Sequence, residues 1–151
     1  MINIDFTVNG GAWCHNDQAC ITTAINETLA HVAYQNDTEI SVLLTDDAQM
    51  QALNHNYRDK DKPTNVLSFP QNEPAMLGDI VIAHETLIRE AKNQHKAYEH
   101  HLTHLTIHSV LHLLGHDHED DEEAEKMESL DIQILKKMGI KNPYDDESFE
   151  V

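Results

Sequence analysis

Cysteine is scarce in this chain: Cys14 and Cys20 are the only two. Two thiols cannot build a disulfide framework, and their spacing matches no zinc or redox motif, so both read as ordinary reduced cysteines. Positive charge is also short. Ten Lys and Arg stand against 27 Asp and Glu, a formal net charge of −17. That balance argues against broad, nonspecific nucleic-acid binding and leaves room for recognition at one basic cleft. Much of the acid is local. Asp117 to Glu128 holds eight acidic residues and one lysine, and Asp145, Asp146, Glu147 and Glu150 follow near the end; such runs are usually solvated helix faces and tails. No apolar run approaches the ~20 residues of a membrane span. The first residues, Met-Ile-Asn-Ile-Asp-Phe, show neither a basic nor an apolar leader region, so a cytoplasmic protein with no membrane partner is expected.

Histidine, by contrast, is plentiful, with twelve copies. The segment His108-Ser-Val-Leu-His112-Leu-Leu-Gly115-His116-Asp117-His118 places three imidazoles at i, i+4 and i+10. A helix sets His108 and His112 one turn apart on one face. Gly115 can end that helix in the left-handed conformation, and the chain can return to present His118. Three nitrogen ligands with an open fourth position describe a catalytic zinc site. The spacing is that of the metzincin signature H-E-x-x-H-x-x-G-x-x-H, except that Ser109 stands where those proteases carry their glutamate base. Metal-assisted hydrolysis of something other than a peptide is therefore expected. At roughly 100° per residue, His101, His104, His108, His112 and Gly115 share a narrow stripe. Leu102, Leu105, Ile107, Val110, Leu111, Leu113 and Leu114 cover most of the remainder, as in a buried helix.

The remaining pattern is that of one α+β domain over residues 1–151. A small, mostly four-stranded sheet would pack against helices, with the buried metal-binding helix at the centre. Strands are expected at Ile2 to Val8, Glu39 to Leu44, Val66 to Phe69 (stopped by Pro70) and Gly78 to Ala83. Gln71 to Leu77 reads as a polar loop. Asp17 is expected to cap a first helix running to about Tyr34, and Thr45, Asp46 or Asp47 a second through Met50, Leu53 and Tyr57. Later helices are expected at about 85–95, 97–115 and 119–138, with Gly139 closing the last.

A second segment, Tyr57-Arg58-Asp59-Lys60-Asp61-Lys62-Pro63-Thr64-Asn65-Val66-Leu67-Ser68-Phe69-Pro70, gathers an arginine and two lysines before a strand. A guanidinium grips phosphate bidentately, so Arg58 beside a metal would stabilise charge developing on a phosphodiester. A solvated loop whose acids neutralise its bases is the plainer alternative.

The two segments together resemble the YbeY family of bacterial rRNA-maturation endoribonucleases. That family shows an H-G-x-L-H-L-x-G-[YH]-D-H signature, a Y-R-x-x-x-x-P-T-D-V-L-S-F-P segment and an L-G-D-I strand between them, and the likeness runs over nearly the whole chain. It implies one Zn2+ held by His108, His112 and His118; nitrogen ligands also suit nickel or another divalent ion. It also implies single-strand-specific RNA cleavage in 16S rRNA 3′-end maturation and ribosome quality control, with single-stranded rRNA and ribosomal particles as partners. The family's functionally important arginine falls on Arg58. Asn65 departs from the family's usual aspartate, and could alter how Arg58 is held; Ser109 departs from its usual glycine. Water acidified by the ion and the RNA 2′-hydroxyl both remain open as nucleophile. Asp117 and His116 beside the third ligand, and Asp79 and His84 at the ends of the Gly78–Ala83 strand, are candidates for a base, substrate contact or orienting role. A metalloprotease-like hydrolase and a noncatalytic, zinc-stapled ribosome-assembly factor are the alternatives.

Overall fold

The computed structural model describes residues 2–58, 65–73, 75–116 and 120–144, with the side chains at 56–58 and 72 excepted. Among these residues nine elements follow in order: β1 (Ile2–Val8), α1 (His15–His31), β2 (Thr38–Thr45), α2 (Asp47–Arg58), β3 (Val66–Glu73), β4 (Met76–Ala83), α3 (His84–Asn93), α4 (Tyr98–Leu113) and α5 (Asp121–Lys137). The strands form one four-stranded sheet in the order β1-β2-β4-β3. β1 and β2 run parallel, as do β2 and β4; β3 returns antiparallel against β4 and forms an edge. The α+β architecture expected from the pattern is thus present, with a mixed sheet.

Alternation along the strands divides the core. Ile40, Val42 and Leu44 of β2 and Ile80 and Ile82 of β4 turn to one face, where they meet Ile21, Ile25 and Leu29 of α1 and Leu102, Leu105 and Val110 of α4. Leu67 and Val81 turn to the other face and pack with Met50 of α2. A third cluster joins α1, α4 and α5 through Ala24, Ile107, Leu111, Met127, Ile134 and Leu135. α4 therefore touches sheet on one side and helices on the others, and ten of its sixteen residues are buried. Gly78 allows its close approach: a Cβ there would lie 2.6 Å from Leu113 Cδ2 and 2.6 Å from the Phe69 carbonyl oxygen.

Several boundaries differ from the sequence pattern, each for an identifiable physical reason. Asp17 does not begin α1. Cys14 is the N-cap, and Asp17, three residues on, accepts from the Cys14 amide at 2.9 Å. At α2 the cap is Asp46, whose Oδ1 accepts from the Gln49 amide at 2.9 Å. Pro70 does not stop β3. It pairs with Gly78, and the strand runs on to Glu73 with an irregular register between Pro70 and Glu73. An edge strand tolerates the missing N–H, so most of the expected loop from Gln71 to Leu77 is strand. No helix among the described residues is long and apolar enough to cross a membrane.

Candidate metal centre and cleft

The C-terminal end of α4 is built by Gly115. At φ 101° it takes the left-handed conformation. The Gly115 amide donates to the His112 carbonyl and the His116 amide to the Leu111 carbonyl, both at 3.0 Å, the paired bonds of a Schellman cap. This turn folds the chain back so that the His116 carbonyl lies 3.0 Å from His112 Nδ1. A carbonyl can only accept, so the His112 ring donates from Nδ1. The third histidine of the motif, His118, and Asp117 lie outside the described residues, as does the side chain of Arg58, whose backbone ends α2.

One turn back on α4, the His108 and His112 rings lie with centroids 4.9 Å apart at 86°. His108 Nδ1 is 2.9 Å from Oδ2 of Asp131, a fully buried carboxylate on α5. The same oxygen accepts from the Tyr144 hydroxyl at 2.5 Å. His104 Nε2 is shared between the Tyr144 oxygen at 3.1 Å and Asp131 Oδ2 at 3.5 Å. Burial would push the Asp131 carboxyl up, but hydrogen bonds from His104, His108 and Tyr144, with the attraction of His108, outweigh it and hold the group down to about 2. An ionised carboxylate can only accept, so His108 donates from Nδ1 as well. Burial holds His104 below the usual histidine range, against the pull of Asp131. Burial and then the Asp131 charge push the Tyr144 phenol up. His104, His108 and Asp131 bring ligand-type atoms within 4.8 Å of one another, a group able to hold a metal ion.

His104, His108, His112 and Tyr144 line a cleft of about 970 Å3, and Asp131 is not exposed to it. One wall is β3, through Val66, Ser68 and Pro70, whose period of two turns them to the α4 side. Opposite stand Ala124, Met127 and Glu128 of α5, with His104, His108 and His112 on the floor and His116 and Tyr144 at the rim. The histidine stripe of α4 divides here. His101 leaves the cleft and bonds Glu90 on α3 through Nε2 at 2.9 Å. Asn65, which lines the cleft, donates to that same Glu90 carboxylate at 3.0 Å. Burial would raise the Glu90 carboxyl, but His101 and Asn65 hold it below its ordinary value.

The two candidates at the ends of β4 lie elsewhere. Asp79 accepts from Gln71 Nε2 at 2.9 Å. His84 accepts from the Ala12 amide at 3.2 Å and packs on Trp13 with centroids 4.6 Å apart. Neither lines the cleft. Ser109 is fully buried and donates to the Leu105 carbonyl at 2.8 Å, a back-bond within the helix. Asp131 and Tyr144 are site residues that the motif does not reveal. Asp131 could have been flagged, because it sits at helical spacing within the apolar stripe Met127, Ile134 and Leu135, where a lone acid calls for a partner.

Comparison with known proteins agrees with the motifs. Residues 12–139 match the family described as Endoribonuclease YbeY. A protein of that name from Nitrobacter hamburgensis is 55% identical over 118 residues, covering 72% of this chain and 62% of the relative, so the match spans less than two thirds of that protein. Another, from Chelativorans, is 46% identical over 150 residues, covering 93% of this chain and 92% of the relative. The solution structure of a Thermotoga maritima protein superposes with a TM-score of 0.61 over 92% of both chains at 24% identity, which shows a shared fold. On the extent of the sequence match, the chain belongs to the endoribonuclease YbeY family.

Proposed function

We propose that residues 1–151 form a single metal-dependent endoribonuclease domain that cuts single-stranded RNA. Its role is maturation of the 16S rRNA 3′ end and ribosome quality control in the cytoplasm. One divalent ion is held by His108, His112 and His118. Zinc suits three imidazoles, and nickel follows closely. The observation that carries this reading is the treatment of the two described rings. Asp131 takes the Nδ1 proton of His108 and the His116 carbonyl takes that of His112. Coordination then falls to Nε2 of each ring, the arrangement in which a partner on one nitrogen fixes the tautomer that binds through the other.

When bound, such an ion supplies Lewis-acid activation of water and stabilises charge developing on a phosphodiester. The chain's own residues do the rest. His108 and His112 fix the ion on the cleft floor. Arg58 grips a phosphate oxygen through its planar fork. The open groove between β3 and α5 takes an extended strand. Ser109, buried and bonded within its own helix, offers no general base where a peptidase keeps glutamate, which favours RNA over peptide as substrate.

The strongly acidic chain makes binding to naked RNA weak and salt-sensitive, so affinity comes from the ribosomal particle. Cleavage of RNA in ribosomal particles should therefore exceed cleavage of the same RNA free in solution. Arg58→Lys should lose most activity with metal content unchanged, because a point charge does not replace the fork. Wild-type turnover by Arg58→Ala would remove that residue from the mechanism.

A further inference from the structure

Tyr144 enters the cleft from the segment that follows α5, and that segment is pinned just ahead of it. Lys96 Nζ, in the α3–α4 connection, donates to the Pro143 carbonyl at 3.2 Å. The Tyr144 amide donates to Asn142 Oδ1 at 2.8 Å. The Tyr144 ring stands edge-on to His104 at 5.3 Å and 88°. Among the described residues its hydroxyl bonds His104 Nε2 and Asp131 Oδ2. The carboxylate can only accept, so the phenol donates to it and receives from His104. Every proton in this set points toward Asp131: from His104 to Tyr144, from Tyr144 to Asp131, and from His108 to Asp131.

We infer that Tyr144 is a positioning residue of the site: held by His104, its hydroxyl fixes the Asp131 carboxylate, which in turn keeps His108 in one orientation and one tautomer for coordination through Nε2. This rests on the ion being held by His108 and His112. The alternative, an ion within the His104–His108–Asp131 group, uses the same atoms in the opposite sense. There Tyr144 would compete with the metal for Asp131 Oδ2, and its loss would tighten binding. The hydrogen-bond directions favour the positioning role: Asp131 Oδ2 already accepts from Tyr144 at 2.5 Å and from His108 at 2.9 Å, and the Tyr144 oxygen lies 3.1 Å from His104 Nε2, although Asp131 Oδ1 and His104 Nδ1 have no hydrogen-bond partner among the described residues.

The test compares full-length wild type, Tyr144→Phe and His104→Asn. The phenylalanine keeps the ring packing and removes only the hydroxyl. Nitrogen-15 NMR of the metal-free proteins at mildly alkaline pH reads the tautomer of neutral His108 directly. The wild type should show a single tautomer protonated on Nδ1, and both variants a mixture. Cobalt(II) competition against a chromophoric chelator should show affinity reduced roughly tenfold in Tyr144→Phe, the low end for a group that supports a ligand, with an altered visible spectrum. An unchanged His108 tautomer in Tyr144→Phe would overturn the positioning role, and so would tighter cobalt binding by that variant. A wild type that takes up no cobalt, yet shows the tautomer shift between variants, would sink the metal reading while leaving the hydrogen-bond relay in place.

Discussion

Asp131 Oδ2 lies 2.9 Å from His108 Nδ1, joining α5 to the histidine face of α4 across 23 residues of sequence. The carboxylate is fully buried, so its cost of desolvation is met only while its donors remain. Removing it leaves imidazole and phenol donors facing an empty space. Asp131→Ala should destabilise the metal-free protein by about 2–3 kcal/mol, measured by urea unfolding. Asp131→Asn should fold and bind metal roughly 10–100-fold more weakly. Metal affinity equal to wild type in Asp131→Asn would show that the contact serves only packing.

Two histidines on α4 distinguish the possible placements of the ion. His112→Ala should lose stoichiometric metal, whereas His104→Ala should keep it with reduced affinity. Metal analysis of the two purified variants reads this directly. The reverse pattern would move the ion to the His104–His108–Asp131 group.

Among the described residues Gly115 has no steric neighbour: a Cβ there would meet none of their atoms within 4 Å. Its φ of 101° alone demands glycine. Gly115→Ala should therefore cost about 1 kcal/mol from the backbone, a fall of a few degrees in the thermal midpoint. Metal affinity should weaken as well, because the His116 carbonyl that holds His112 depends on that turn. A variant with wild-type midpoint and affinity would contradict both statements.

Much of this was legible in the sequence. The period of two in β1, the short apolar runs of β2 and β4, the apolar coat and histidine stripe of α4, and Gly115 as its stop are local patterns. Two kinds of feature were not. The continuation of β3 past Pro70 depends on the strand being an edge, which is a property of the sheet order. The role of Asp131 depends on α5 returning along α4; in the sequence it is one acid among many on an acidic helix. Tyr144 carries no periodic signal at all. Its place comes from a turn pinned by Lys96 and Asn142.

Glu90 should give the protein an acid dependence away from the candidate metal ligands. Its carboxyl is held below the ordinary value of 4.5 by His101 and Asn65, against the effect of burial. A depressed folded pKa contributes stability above the unfolded value, and that contribution is lost as pH falls through the folded one. Glu90→Gln should be less stable than wild type by about 1 kcal/mol at pH 7. The difference should shrink once pH falls below 4.5. A gap independent of pH would assign the effect to shape alone.

The proposed mechanism has an ion on His108 and His112 driving RNA cleavage. The most direct measurement is cleavage of a single-stranded RNA by wild type, chelated wild type and His112→Ala prepared identically, beside a casein-type peptide substrate. Wild type should cut the RNA, lose that activity on chelation and regain it on adding zinc; His112→Ala should not cut, and the peptide should stay intact throughout. Equal RNA cleavage by wild type and His112→Ala, or chelator-sensitive cleavage of the peptide, would contradict this mechanism.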